Sequence, residues 1–127
     1  MTAPAEAQVE ALVAAFNRRD RDAVAALLAD DVVCVGIPLD APAIGKAATM
    51  ELLEPFLAAE AIDWRILAMA ANGPVVFTER LDRFRFAGRD WTEVRAAGVF
   101  EIDADGRIAA WRDYFDLGEL QRAMGRD

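Results

Sequence analysis

The second half of the chain is cut by glycine-bearing turns into long runs of strand-like pattern, and this limits the fold more than any other feature. The segments Asn72-Gly73-Pro74, Ala87-Gly88-Arg89-Asp90 and Asp103-Ala104-Asp105-Gly106 separate strands expected over Ile62 to Ala70, Val75 to Phe86, Trp91 to Ile102 and Arg107 to Asp116. Successive strands joined by turns this short must pair antiparallel, so the pattern predicts a meander. A sheet of that length needs an apolar cover on one face.

The first half supplies the cover. Between Pro4 and Arg18 the apolar residues Val9, Leu12, Val13 and Phe16 recur at helical spacing, and Pro4 suits a first helical turn. A second, shorter helix is expected from Arg21 to Ala29, burying Val24, Leu27 and Leu28 and capped by Asp20. Asp30-Asp31 breaks that pattern, and Val32-Val33-Cys34-Val35-Gly36-Ile37 reads as a β-branched strand ended by Pro38. A third helix, Lys46 to Ala59, carries Met50, Leu53, Phe56 and Leu57, with a kink or break expected at Pro55. Leu117 to Met124 closes the chain as a short helix. Helices first and a meander afterwards predict an α+β fold, with helices packed on one face of a curved, mostly antiparallel sheet around a cavity. With 127 residues, one domain over 1–127 is expected.

Composition narrows the chemistry. The formal net charge of −8, with 14 scattered basic residues, disfavours nucleic acid and anionic membranes as partners. No apolar run approaches the ~18 residues of a membrane span, and no leader pattern opens the chain. The single cysteine, Cys34, excludes an intrachain disulfide, and a cytoplasmic location is expected. Histidine is absent, which removes His-based triads and most zinc sites, so no metal is expected.

What remains is a set of charges on apolar stripes. In the last strand Trp111, Asp113 and Phe115 share a face, so a carboxylate stands between two rings and needs a partner. In the strand from Val75, the even positions Val76, Thr78, Arg80, Asp82, Phe84 and Phe86 share a face. Two acids and one arginine on apolar stripes satisfy one another only by meeting in the cavity. Arginine can hold two carboxylates at once, and two ionised acids would leave surplus negative charge there, so the pair should keep one proton. One acid then donates and the other accepts at the same pH.

The segments Trp111-Arg112-Asp113-Tyr114-Phe115-Asp116-Leu117, Gly98-Val99-Phe100, Gly106-Arg107-Ile108 and Thr78-Glu79-Arg80 with Asp82 resemble the signatures of the limonene-1,2-epoxide hydrolase family. The resemblance implies the cystatin-like cone of the nuclear transport factor 2 and SnoaL-like superfamily. It implies that Asp113 takes a proton from water, Asp82 donates one to an epoxide oxygen, and Arg80 bridges both. Ring opening would yield a vicinal diol without a covalent intermediate, cofactor or metal, and a homodimer fits the family habit. The family's Tyr and Asn that help hold the water fall here on Cys34 and Gly36, ahead of Ile37-Pro38-Leu39. Thr78 is then the best remaining hydroxyl, and Phe84, Trp111 and Phe115 are expected pocket walls. Such an aromatic pocket suits an apolar, terpene- or steroid-like guest. Two other readings stay open: a SnoaL-like cyclase or isomerase in which Asp113 abstracts a carbon-bound proton, and a non-catalytic small-molecule-binding module.

Overall fold

The computed structural model describes residues 4–125. Four helices, α1 (Pro4–Asn17), α2 (Arg21–Leu27), α3 (Lys46–Leu57) and α4 (Leu117–Ala123), accompany six strands. These are β1 (Leu28–Ile37), β2 (Ala43–Ile44), β3 (Ala61–Asn72), β4 (Val75–Arg85), β5 (Trp91–Ile102) and β6 (Ile108–Phe115). All six form one sheet in the order β2-β1-β6-β5-β4-β3. The meander is as expected: β3, β4, β5 and β6 pair antiparallel in succession. Their turns pass through Gly73, Gly88 and Gly106, which all adopt positive φ, where a side chain would be strained.

Three expectations are corrected. The second helix stops at Leu27 rather than Ala29, because Leu28 and Ala29 already belong to β1. Asp30 and Asp31 do not end an element; they lie exposed in β1, where the pairing with β6 shifts register between Leu28 and Val33. That irregularity lets two acids face water between the buried Ala29 and Val32. Finally, α3 runs through Pro55 as one helix. Pro55 stands in its last turn, and the carbonyl deprived of a donor is that of Glu51, whose residue is exposed, so water can satisfy it.

The union of β1 with β6 is parallel and places Cys34 beside Trp111 and Gly36 beside Asp113. This pairing makes the sheet mixed, and it brings the N-terminal strand to the strand that carries Asp113. Helix α1 packs across β3, β4 and β5 through Val9, Leu12, Val13 and Phe16, which are all buried. Asn17 fastens its end: the side-chain amide donates to the Trp64 carbonyl at 3.1 Å and accepts from the Trp64 N–H at 2.7 Å. On β4, Val76, Thr78, Arg80, Asp82 and Phe84 are buried while Phe77 and Glu79 are exposed, so the strand carries its charges inward.

Candidate active site

Arg80 is the centre of the site, with a side chain wholly buried. Its guanidinium has five N–H donors, and five hydrogen bonds use them. Nε donates to Asp82 Oδ1 at 3.0 Å and Nη2 to Asp82 Oδ2 at 2.9 Å. Nη1 donates to Asp113 Oδ1 at 3.1 Å and Nη2 to Asp113 Oδ2 at 2.8 Å. The remaining Nη1 hydrogen goes to Thr78 Oγ1 at 3.2 Å, and that hydroxyl donates in turn to the Gly98 carbonyl at 3.4 Å. The planar fork therefore grips both carboxylates with two bonds each, which fixes their relative orientation.

Aromatic rings support this cation. The Arg80 guanidinium carbon lies 4.9 Å from the centroid of the Trp64 ring and 5.8 Å from that of Phe100. The negative faces of both rings lower the cost of burying the charge. Trp64 is itself held by Phe16, stacked at 4.3 Å between centroids.

The electrostatics separate the two acids. Burial pushes Asp82 up to about 6; Arg80 pulls the other way, and the nearby charge of Asp113 adds to the rise. Burial alone would lower Arg80, but its attraction to Asp113 and Asp82 prevails, so it stays charged at any working pH. Asp82 is thus the acid inclined to keep a proton. Asp113 is the more open of the two, with 20% of its side chain accessible against 8% for Asp82.

Both acids project into a cavity of about 210 Å³. Its walls include Phe16, Leu53, Trp64, Phe84, Trp111 and Phe115, and among the described residues the only charged side chains lining it are Asp82 and Asp113. Of the expected pocket residues, Cys34, Gly36, Phe84, Trp111 and Phe115 all line it. Thr78 does not; it sits behind Arg80 and orients the guanidinium instead of facing a guest. Alternation along β4 put it on the right face, but depth within that face is invisible to periodicity. Cys34 is buried, and burial reinforced by the Asp113 charge pushes its thiol up to about 12. It is packing and cavity wall, with no thiolate to attack a substrate.

One contributor was not legible as a site residue, and another was legible only as a wall. Gly98 lies opposite both Thr78 and Asp113 in the sheet, and a Cβ there would fall 2.7 Å from Asp113 Oδ1 and against Arg80 Nη1. Only glycine leaves room for the arginine to cross to the acid. Trp111 also does more than form a wall, since its indole Nε1 donates to Asp113 Oδ1 at 2.8 Å. Its position two residues before the acid on the same face was the available signal.

An acid inclined to hold a proton, a more open carboxylate and a fixed cation between them can protonate one atom while deprotonating another. The limonene-1,2-epoxide hydrolase catalytic domain matches residues 3–126. The chain belongs to this family. It is similar to epoxide hydrolase EphG of Mycobacterium tuberculosis, with 35% identity over 118 residues that span 93% of this chain and 77% of that protein. The solved structure of an M. tuberculosis epoxide hydrolase of the limonene-epoxide-hydrolase-like kind superposes with a TM-score of 0.80 at 34% identity, covering 96% of this chain and 92% of that one. A protein described as a SnoaL-like polyketide cyclase, from Shewanella putrefaciens, gives a TM-score of 0.83 over 98% of each chain, but at 12% identity it bears on the fold alone. Family membership and fold thus agree with the α+β fold expected from helices followed by a meander, and with the cone that the resemblance implies.

Proposed function

We propose that this protein hydrolyses a small apolar epoxide to a vicinal diol by one-step addition of water. The observation that carries the reading is the saturated Arg80, which spends four of its five donors on two carboxylates at the wall of an otherwise apolar cavity. Asp113 accepts a proton from water as the water oxygen bonds to a ring carbon. The carbon–oxygen bond breaks, and its electron pair takes the proton of Asp82. Charge is conserved throughout, and the proton then returns from Asp113 to Asp82 through solvent to reset the pair. Each positioned acid or base contributes about 10² to 10⁴ in rate. No cofactor or metal takes part in this scheme.

The cavity volume supports the smaller of the apolar guests considered above. About 210 Å³ lies between the ~150 Å³ that admits benzene and the ~300 Å³ at which drug-sized sites begin. Leu39 and Leu52, both exposed at the cavity, offer an apolar approach. A homodimer through the outer sheet face belongs to the same reading: Leu67, Phe77, Trp91 and Tyr114 are all exposed there, and analytical ultracentrifugation checks it. A cytoplasmic setting goes with the single free thiol, Cys34.

The test is a panel of epoxides incubated in oxygen-18 water with the unmodified protein, Asp113→Asn and Asp82→Asn. Labelled diol from the unmodified protein, lost in both variants, is the expected result. A second reading draws on the same cavity: Cys34 and Gly36 offer β1's side of Asp113 no strong hydrogen-bonding group, so a carbon-bound proton could replace that of water. Rearranged product free of label, with no diol from any epoxide, would favour that isomerase chemistry over hydrolysis.

A further inference from the structure

The array leaves the two oxygens of Asp113 unequal. Oδ1 accepts from Arg80 Nη1 at 3.1 Å and from Trp111 Nε1 at 2.8 Å, whereas among the described residues Oδ2 accepts only from Arg80 Nη2 at 2.8 Å. A carboxylate oxygen has two lone pairs, so Oδ1 is filled and Oδ2 keeps one site. We propose that Trp111 is a positioning residue for the hydrolysis: its indole N–H pins Oδ1 and leaves Oδ2 as the atom that takes the proton from water. This rests on the hydrolase reading above.

The indole is built to hold still. Trp111 is only 2% exposed, and its ring is wedged among Phe100 at 5.4 Å, Phe16 at 5.9 Å and Trp64 at 6.3 Å. Its N–H therefore fixes the plane of the carboxylate that Arg80 alone grips from one side. Among the described residues no other side chain donates to Asp113. On β1 the neighbours are the protonated thiol of Cys34 and the bare backbone of Gly36; β5 presents Ala96 and Gly98, and α1 presents Phe16. Among the described residues the charged groups facing Asp113 are Arg80 and Asp82, both from β4. Without the indole donor, Oδ1 would compete with Oδ2 for water, and the carboxylate would be a less well-aimed base.

Trp111→Phe would also open space in the aromatic cluster, so the sharper variant replaces Trp111 with 3-benzothienylalanine, which keeps the bicycle and puts sulfur in place of N–H. On an epoxide that the unmodified protein opens, kcat should fall tenfold or more while KM stays within twofold. Turnover equal to that of the unmodified protein would overturn the role. A second measurement needs no turnover: the Trp111 indole proton resonance of the unmodified chain should move upfield on Asp113→Ala, and a resonance indifferent to that change would refute the contact. Silence of the unmodified protein toward every epoxide counts against the hydrolase reading alone, and the indole resonance then decides whether Trp111 holds Asp113.

Discussion

Replacing Asp82 with Asn should change stability in a way that depends on pH, and the dependence measures what burial does to this acid. In the folded protein Asp82 is raised from its ordinary 3.8 to about 6, with burial the main cause. Between those pH values the folded chain holds a proton that the unfolded chain has released, so stability falls as pH rises through the window. At about 1.36 kcal/mol per pH unit, the full loss is about 3 kcal/mol. Linkage places about 2 kcal/mol of it between pH 4 and pH 7, because at pH 4 part of the unfolded population is already ionised. Asn cannot ionise and lacks this loss. It carries a separate cost, since its amide group faces an Arg80 donor where an oxygen stood, but that cost is the same at both pH values and cancels in the comparison. Urea unfolding at pH 4 and pH 7, read as the difference between the unmodified protein and Asp82→Asn, should therefore favour the variant by about 2 kcal/mol more at pH 7. Equal differences at the two pH values, or a larger deficit of the variant at pH 7, would show that the attraction of Arg80 exceeds the cost of burial, and the assignment of Asp82 as proton donor would lose its physical basis.

Two further outcomes follow from the packing. Gly98→Ala should cost about 1 to 3 kcal/mol in urea unfolding and lower kcat/KM about a hundredfold on an epoxide that the protein opens, since the new methyl displaces Arg80 Nη1 and Asp113 Oδ1 from each other. Cys34, buried and with its thiol raised to about 12, should react with a chromogenic disulfide at pH 8 only after unfolding, while Cys34→Ala keeps activity within threefold; prompt labelling of the folded protein would contradict its burial.

Much of this site was legible because strand periodicity is strict. Alternation assigned Arg80, Asp82 and Asp113 to inward faces, and the buried pattern of β4 agrees residue by residue. What alternation could not supply was proximity between strands far apart in the chain. The parallel pairing that sets Gly36 beside Asp113 joins segments separated by most of the sequence, and no local signal announces it. The need for Gly98 is of the same kind, because it arises only where Arg80 crosses β5 to reach β6. Asn17, the last residue of α1, likewise binds the backbone of Trp64, 47 residues away. Pro55 erred in the other direction: propensity foretold a break, but a proline in a last turn above an exposed carbonyl costs the helix little.

The burial of three ionisable groups at an apolar cavity would be hard to justify on stability alone. An ion pair of this kind gains little over well-packed apolar residues, and losing one partner is expensive. What the arrangement secures is compatibility between a greasy guest and acid–base chemistry. Every donor of Arg80 is consumed by Asp82, Asp113 and Thr78, so the cation presents no unspent hydrogen to the cavity and does not line it. Trp64 and Phe100 cover its faces, and Trp111 occupies an oxygen of Asp113 from the side. The cavity thus meets its guest as a hydrocarbon surface broken at two carboxyl groups, one disposed to give a proton and the other open to receive one. An epoxide, apolar except at the oxygen that must be protonated and the carbon that must be attacked, matches that surface at both points.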